Sequence, residues 1–131
     1  MRADASGFRP VAVGVDREYN CYVADAATHR IIIFNSRGGA IGAFGAPGSQ
    51  PGQLLEPVAV VVHPDDTIFV AETGNARIQA FSPQGECLAV FAGTQSSGVE
   101  VIEPRGLAVD ADGYVYVVDA KLHRVTKLEW R

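Results

Sequence analysis

Short apolar runs and polar, turn-forming clusters alternate along the whole chain, and Gly, Pro or Asp-type turns interrupt the pattern every 5 to 10 residues. The runs are β-branched and aromatic, as in Val58 to Val62, Ile68 to Ala71 and Arg77 to Phe81, which predicts strands. A two-helix repeat would need amphipathic windows of roughly ten residues, and the turns break every such window. In the run at Cys21 to Ala24 and the run at Ile68 to Ala71, both alternating sets of side chains are apolar. Such strands belong in sheets covered on both faces.

The pattern repeats at a fixed interval without an insertion. Pro10, Pro57 and Pro104 are 47 residues apart, as are Arg30, Arg77 and Arg124. Each copy opens with an apolar run after its proline (Val11 to Val15, Val58 to Val62, Leu107 to Val109). A second run follows, ending in an acid at Asp25, Glu72 or Asp119. The third spans Arg30 to Phe34, Arg77 to Phe81 and Arg124 to Leu128, and a fourth, Ala40 to Phe44 and Leu88 to Phe91, follows a Gly-containing turn. Gly/Ser/Gln-rich linkers, 46–56 and 92–103, join the copies. Strands joined by such short turns form antiparallel meanders. The chain is therefore expected to be all-β, a partial β-propeller of three four-stranded blades whose last blade lacks its outer strand. The expected repeats are about 8–54, 55–101 and 102–131, within one domain spanning residues 1–131.

Val-Ala-Asp or Val-Ala-Glu, a short loop, His-Arg-Ile or Ala-Arg-Ile, a Phe, a Gly turn, and Gly52-Gln53-Leu54 before Pro57 together resemble the NHL repeat. The resemblance covers nearly the whole chain. The family's Asn-His-Arg stands here as Thr28-His29-Arg30, Asn75-Ala76-Arg77 and Leu122-His123-Arg124, so the arginine alone recurs. The resemblance implies a ring that usually has six blades, of which three copies would be half, similar to its C-terminal half. Met1 aligns with Gly48, so the chain is expected to begin in a linker, and it closes after a third strand, where many propellers end. Each open blade face would project roughly 300 Å², at the limit of what soluble monomers expose. The expected covers are missing propeller blades or a second copy arranged head to tail, although residues 1–7 are too few to reach back as an outer strand.

A net charge of −4 over 131 residues argues against bulk attraction to nucleic acid or to anionic membrane. No run approaches the roughly 18 apolar residues of a membrane span, and Met1 to Pro10 lacks a signal-peptide core. With Cys21 and Cys87 out of register, and so no disulfide framework, a cytoplasmic location is the expectation.

Candidate chemistry concentrates on one end of the meanders, where the turns after the second strands meet the linkers. Thr28, His29, Thr73, Gly74, Asn75, Arg105, Lys121 and His123 are the candidate interaction residues there. Asp25 with Arg30, Glu72 with Arg77, and Asp119 with Arg124 stand five residues apart across a hairpin. Read singly, each pair suggests anion capture or catalysis; threefold recurrence makes them structural clamps, an acid and a guanidinium each pairing the other. His29, His63 and His123 lie in different blades, His63 in a turn at the opposite end, and none has a nearby Cys or carboxylate at ligand spacing, so neither a metal nor another cofactor is expected. Recurrent Tyr22, Phe69 and Tyr116 are expected to pack between blades, with Tyr116→Ala destabilising the chain as a core truncation does.

The resemblance also implies what such propellers do. Translational repressors and tripartite-motif ubiquitin ligases of the family bind single-stranded RNA or protein on this loop face, and an amidating lyase holds metal with histidines just after the first-strand proline. Here those positions are Val11, Val58 and Arg105, so the lyase chemistry does not carry over. Cations at His29, Arg105, Lys121 and His123 are offset by Glu56, Glu100 and Glu103. A protein partner is thus the expectation, RNA the disfavoured alternative and half of a propeller lyase or hydrolase the other, with no enzyme activity expected of these residues themselves.

Overall fold

The computed structural model describes residues 7–96 and 99–130; what was expected of residues 1–6 lies outside them. All regular elements among the described residues are strands, gathered into sheets of four, five and three. The first sheet runs β1 (Pro10–Val15), β2 (Cys21–Asp25), β3 (Arg30–Phe34), β4 (Ala40–Phe44) in spatial order. The second runs β5 (Pro57–Val62), β6 (Ile68–Glu72), β7 (Arg77–Phe81), β8 (Cys87–Ser96), β9 (Val99–Val101). The third holds β10 (Pro104–Val109), β11 (Tyr114–Asp119) and β12 (Arg124–Glu129).

The 47-residue period survives as pairing register: Val13 opposes Val23, Val60 opposes Val70, and Leu107 opposes Val117. In each copy the register slips directly after the proline, between Pro10 and Ala12, Pro57 and Ala59, and Pro104 and Gly106. Proline has no N–H to give the ladder, so the first strand enters through a bulge.

The first strands lie side by side, with β5 between β1 and β10. Gly14 sets the closeness of that approach: a Cβ there would stand 2.9 Å from the Val60 carbonyl oxygen. Between the first and second blades, Tyr22, Ile31 and Phe44 meet Val60, Ile68, Val70 and Phe81 in one apolar cluster. Between the second and third, Phe69, Ile78 and Phe91 meet Val115, Val117 and Leu128. The central blade is therefore buried on both faces, which is why every residue of β6 and β7 is buried.

Two polar links staple the second blade to the third. His63 occupies the place that Asp16 and Asp110 hold in the other copies, where an aspartate oxygen caps the turn by accepting amides, from Glu18 and Asn20 or from Asp112 and Tyr114. The His63 Nδ1 accepts from the Asp65 amide at 3.1 Å, and Asp65 Oδ1 lies 2.9 Å from the same nitrogen. The ring's Nε2 faces the Gly113 carbonyl at 2.8 Å and donates to it. The Trp130 indole likewise donates to Thr67 Oγ1 at 3.2 Å and stands edge-on to Phe69.

Within the sheets, the structure corrects the sequence reading at two places. The segment 92–103, read from the sequence as a linker, contains strand: β8 runs on to Ser96 and β9 pairs with it, Gly93 opposite Val101. And Tyr116 is half-exposed, whereas its counterparts Tyr22 and Phe69 are buried. The recurring aromatic faces the next blade in the series, and no described residue supplies that blade for the third copy.

Candidate interaction face

At the end where the second-strand turns meet the linkers, the central hairpin forms a closed polar network. Arg77 Nε donates to Glu72 Oε2 at 2.9 Å, with the carboxylate fully buried. The rest of the guanidinium reaches across to the linker, donating to the carbonyls of Ser49 (2.8 Å), Gln50 (3.1 Å) and Gln53 (2.7 Å). Glu72 in turn accepts from the Leu55 amide, from Asn75 Nδ2 and from Gln79 Nε2. Gln79 closes the ring by accepting from the Gly52 amide at 2.8 Å while donating to the Gln53 carbonyl at 2.7 Å. Each buried charge thus has both a counter-charge and saturating hydrogen bonds, the condition under which burial is tolerated.

The flanking hairpins differ, and the expected direct pairing is replaced there. Asp25 takes the Arg9 and Ala27 amides and the Thr28 hydroxyl, and Arg30 Nε donates to Thr28 Oγ1 at 3.0 Å, so threonine stands between acid and base. Asp119 takes the amides of Ile102, Glu103, Lys121 and Leu122, while Arg124 turns to Glu100 at 2.9 Å. The physical reason is length: aspartate, one methylene shorter than glutamate, folds back onto nearby backbone amides as an Asx turn. Burial alone would raise the Asp25 and Asp119 carboxyls; for Asp25 the Thr28 hydroxyl, the Arg9 and Ala27 amides and the Arg30 charge outweigh it, for Asp119 its four amides do. Both are held below the ordinary aspartate value.

The candidate residues divide accordingly. His29, Thr73, Gly74 and Asn75 gather on linker 46–56, while Thr28 stays within its own hairpin between Asp25 and Arg30: His29 Nδ1 accepts from the Glu56 amide, the Thr73 and Gly74 amides donate to the Glu56 and Leu55 carbonyls, and Asn75 Nδ2 donates to the Gly48 carbonyl. They frame the face. Arg105, Lys121 and His123 cluster at the same end of the third blade with exposed side chains, Arg105 opposite Glu103 at 3.3 Å. His29, Ala76 and His123, each just before the recurring arginine, all have left-handed backbone (φ 55°, 51° and 53°), a turn conformation that non-glycine residues adopt at some cost. Gln79 escaped the sequence reading; the available signal was a polar residue at the strand position that holds Ile32 in the first copy. No cluster of three or more His, Cys, Asp or Glu able to hold a metal occurs among the described residues.

Comparison with known proteins agrees with this geometry at the unit that is most complete. Residues 54–81 match the family model of the NHL repeat. The chain carries an NHL repeat and has a β-propeller fold. No curated protein matches the sequence. Among solved structures, a chain of a nidogen/laminin complex aligns with 92% of this chain and 43% of its own length, at 18% identity and TM-score 0.72. A gluconolactonase from Xanthomonas campestris aligns with 93% of this chain and 44% of its own, at 13% identity and TM-score 0.70. A virginiamycin B lyase from Staphylococcus aureus aligns with 99% and 44%, at 10% identity and TM-score 0.66. The chain spans less than half the length of each of these structures. At such identities the shared property is the fold.

Proposed function

We propose that this NHL-type propeller segment is a non-enzymatic protein-interaction scaffold that binds a protein partner through its loop face. The observation that carries the reading is the buried Glu72–Arg77–Gln79 network, which pins linker 46–56 to the second-strand turn and so holds the face in one shape before a partner arrives. A pre-ordered surface loses less conformational freedom on binding. Beside that frame, Arg105, Lys121 and His123 stand exposed among Glu100 and Glu103, a mixed-charge rim suited to a protein surface more than to a polyanion. Further blades or a second copy, covering the open blade faces, would leave this end accessible.

The test compares affinity capture from cell extract by the intact chain, by a loop-face variant (Arg105→Glu, Lys121→Glu, His123→Glu) and by an opposite-end variant (Arg17→Glu, Arg37→Glu). The expected result is a protein retained by the first and third and lost by the second, with all three melting alike. Retention of the same proteins by all three, or preferential recovery of RNA that the loop-face variant loses, defeats the proposal.

A further inference from the structure

The first strands of the three blades end on the same residue type: Val15, Val62 and Val109 are 47 positions apart. With β5 lying between β1 and β10, these three ends and Pro64 floor a hollow of about 220 Å³ at the end opposite the loop face. Its walls come from three successive blades, and its floor is uncovered, Val15 being 51% exposed. The rim does not repeat. Where the first copy has Asp16 and Arg17 the second has His63 and Pro64, and Asp66 stands at the place of Tyr19 and Gly113. A recurring apolar floor beneath a few particular polar groups is the make-up of a small-molecule site.

Two of the polar residues at the hollow are already committed. Asp16 accepts from the Glu18 and Asn20 amides, from Asn20 Nδ2 and from the Tyr22 hydroxyl, and the His63 ring nitrogens are engaged with the Asp65 amide and the Gly113 carbonyl. Arg17 and Asp66 are not committed. Their side chains carry opposite charges and line one hollow, yet among the described residues neither has a hydrogen bond or an ion pair, with the other or with a third group. The Asp66 backbone is nonetheless fixed, its amide donating to the His63 carbonyl at 2.8 Å. A guest that satisfies both must carry a cation, an anion and a compact apolar group. The volume bounds its size, because a cavity of about 150 Å³ already takes a benzene ring whereas drug-sized ligands fill about 300–1,000 Å³.

We propose that this hollow binds a free α-amino acid with a branched aliphatic side chain, its ammonium at Asp66, its carboxylate on the Arg17 guanidinium and its side chain on the three valines. A guanidinium fork matches a carboxylate with two parallel hydrogen bonds, and charge contacts beside an apolar floor are stronger than in open water. Either end of a peptide chain carries only one of the two charges. The combination of Arg17 with Asp66 therefore selects the free amino acid. The inference concerns a small ligand and stands apart from protein capture at the loop face.

The test titrates the intact chain by calorimetry and by amide NMR with L-leucine, with leucinamide, which lacks the carboxylate, with N-acetylleucine, which lacks the ammonium, and with glycine, which lacks the side chain. Expected are saturable leucine binding with Kd at or below about 1 mM, at least about tenfold weaker binding of the other three, and shifts at Val15, Val62 and Val109. Arg17→Gln makes leucine and leucinamide bind alike, and Asp66→Asn makes leucine and N-acetylleucine bind alike. Both variants melt as the parent does, because neither side chain has a partner to lose. The proposal is overturned by leucine binding weaker than about 1 mM, by any of the other three compounds binding as well as leucine, by either variant keeping the parent's discrimination, or by shifts confined to the loop face.

Discussion

Replacing each recurring arginine by methionine separates what repetition makes alike from what geometry makes different. Arg77→Met removes the counter-charge of a fully buried carboxylate, together with the donors to three linker carbonyls. Breaking one partner of a buried ion pair costs about 3–5 kcal/mol. Glu72 keeps its bonds from Leu55, Asn75 and Gln79, which places the cost within that range and not above it. Arg124→Met removes an ion pair whose partners are 47% and 32% exposed, worth about 0–1 kcal/mol. Arg30→Met removes one hydrogen bond to the Thr28 hydroxyl, about 0.5–1 kcal/mol. Urea unfolding at neutral pH, compared at constant slope, reads all three. Since a domain holds only about 5–15 kcal/mol, Arg77→Met is measured at low temperature with a stabilising osmolyte. The Arg77→Met/Glu72→Gln double variant then costs clearly less than the two single changes together, because the pair is lost only once. Three variants within about 1 kcal/mol of one another would refute the argument that burial of the central pair sets its weight.

Acid unfolding tests the aspartates. Asp25 and Asp119 have depressed folded-state values, so the stability they contribute is complete above the unfolded-state value of about 3.9 and is lost as pH falls through the folded one. Urea midpoints taken from pH 6 downward therefore drop below about pH 4, and Asp119→Asn flattens the drop; an unchanged slope rejects the linkage. Phe69→Ala, in the seam between blades, costs about 3–5 kcal/mol, and Tyr116→Ala at the same repeat position gives the smaller loss in the same thermal melts. Gly113 has φ 89°, and a Cβ there would meet His63 Nε2 at 2.8 Å, so Gly113→Ala both strains the turn and breaks the cross-blade staple. Gly52 has φ 91° with open space around it, and Gly52→Ala carries the backbone cost alone, about 1 kcal/mol. Equal melting temperatures for the two alanine variants would show that the staple is dispensable.

The period of 47 and the β-branched runs made the strands legible, because pairing register follows alternation and the turns bear their own residue signals. β9 was hidden because its partner segment contains Gly93, Gln95 and Ser96, residues that read as linker although a local hairpin pairs Gly93 with Val101 and Ser96 with Val99. The three acid–arginine pairs looked equivalent for a different reason. A repeat fixes the backbone, but one methylene decides whether a carboxylate spans the hairpin to the guanidinium or turns back to the amides. Tyr116 shows a third limit. Its recurrence names a packing position, and whether that position is filled depends on the neighbouring unit. Among the loop-end candidates, Asn75, His29 and Thr28 hold the frame together, a division of labour that only atomic distances reveal.

The chain contains one tryptophan, and Trp130 is wedged at the seam where the third blade meets the second, edge-on to Phe69 with its indole N–H on Thr67. Its emission is therefore a built-in optical gauge of that seam, needing no label. If the third blade peels away while the first two stay joined, the spectrum shifts to the red before the far-ultraviolet signal of the strands declines. If the blades part together, the two signals change as one. A single cuvette thus distinguishes stepwise fraying from concerted unfolding, and reports at the same time whether anything added to the solution clamps the seam shut.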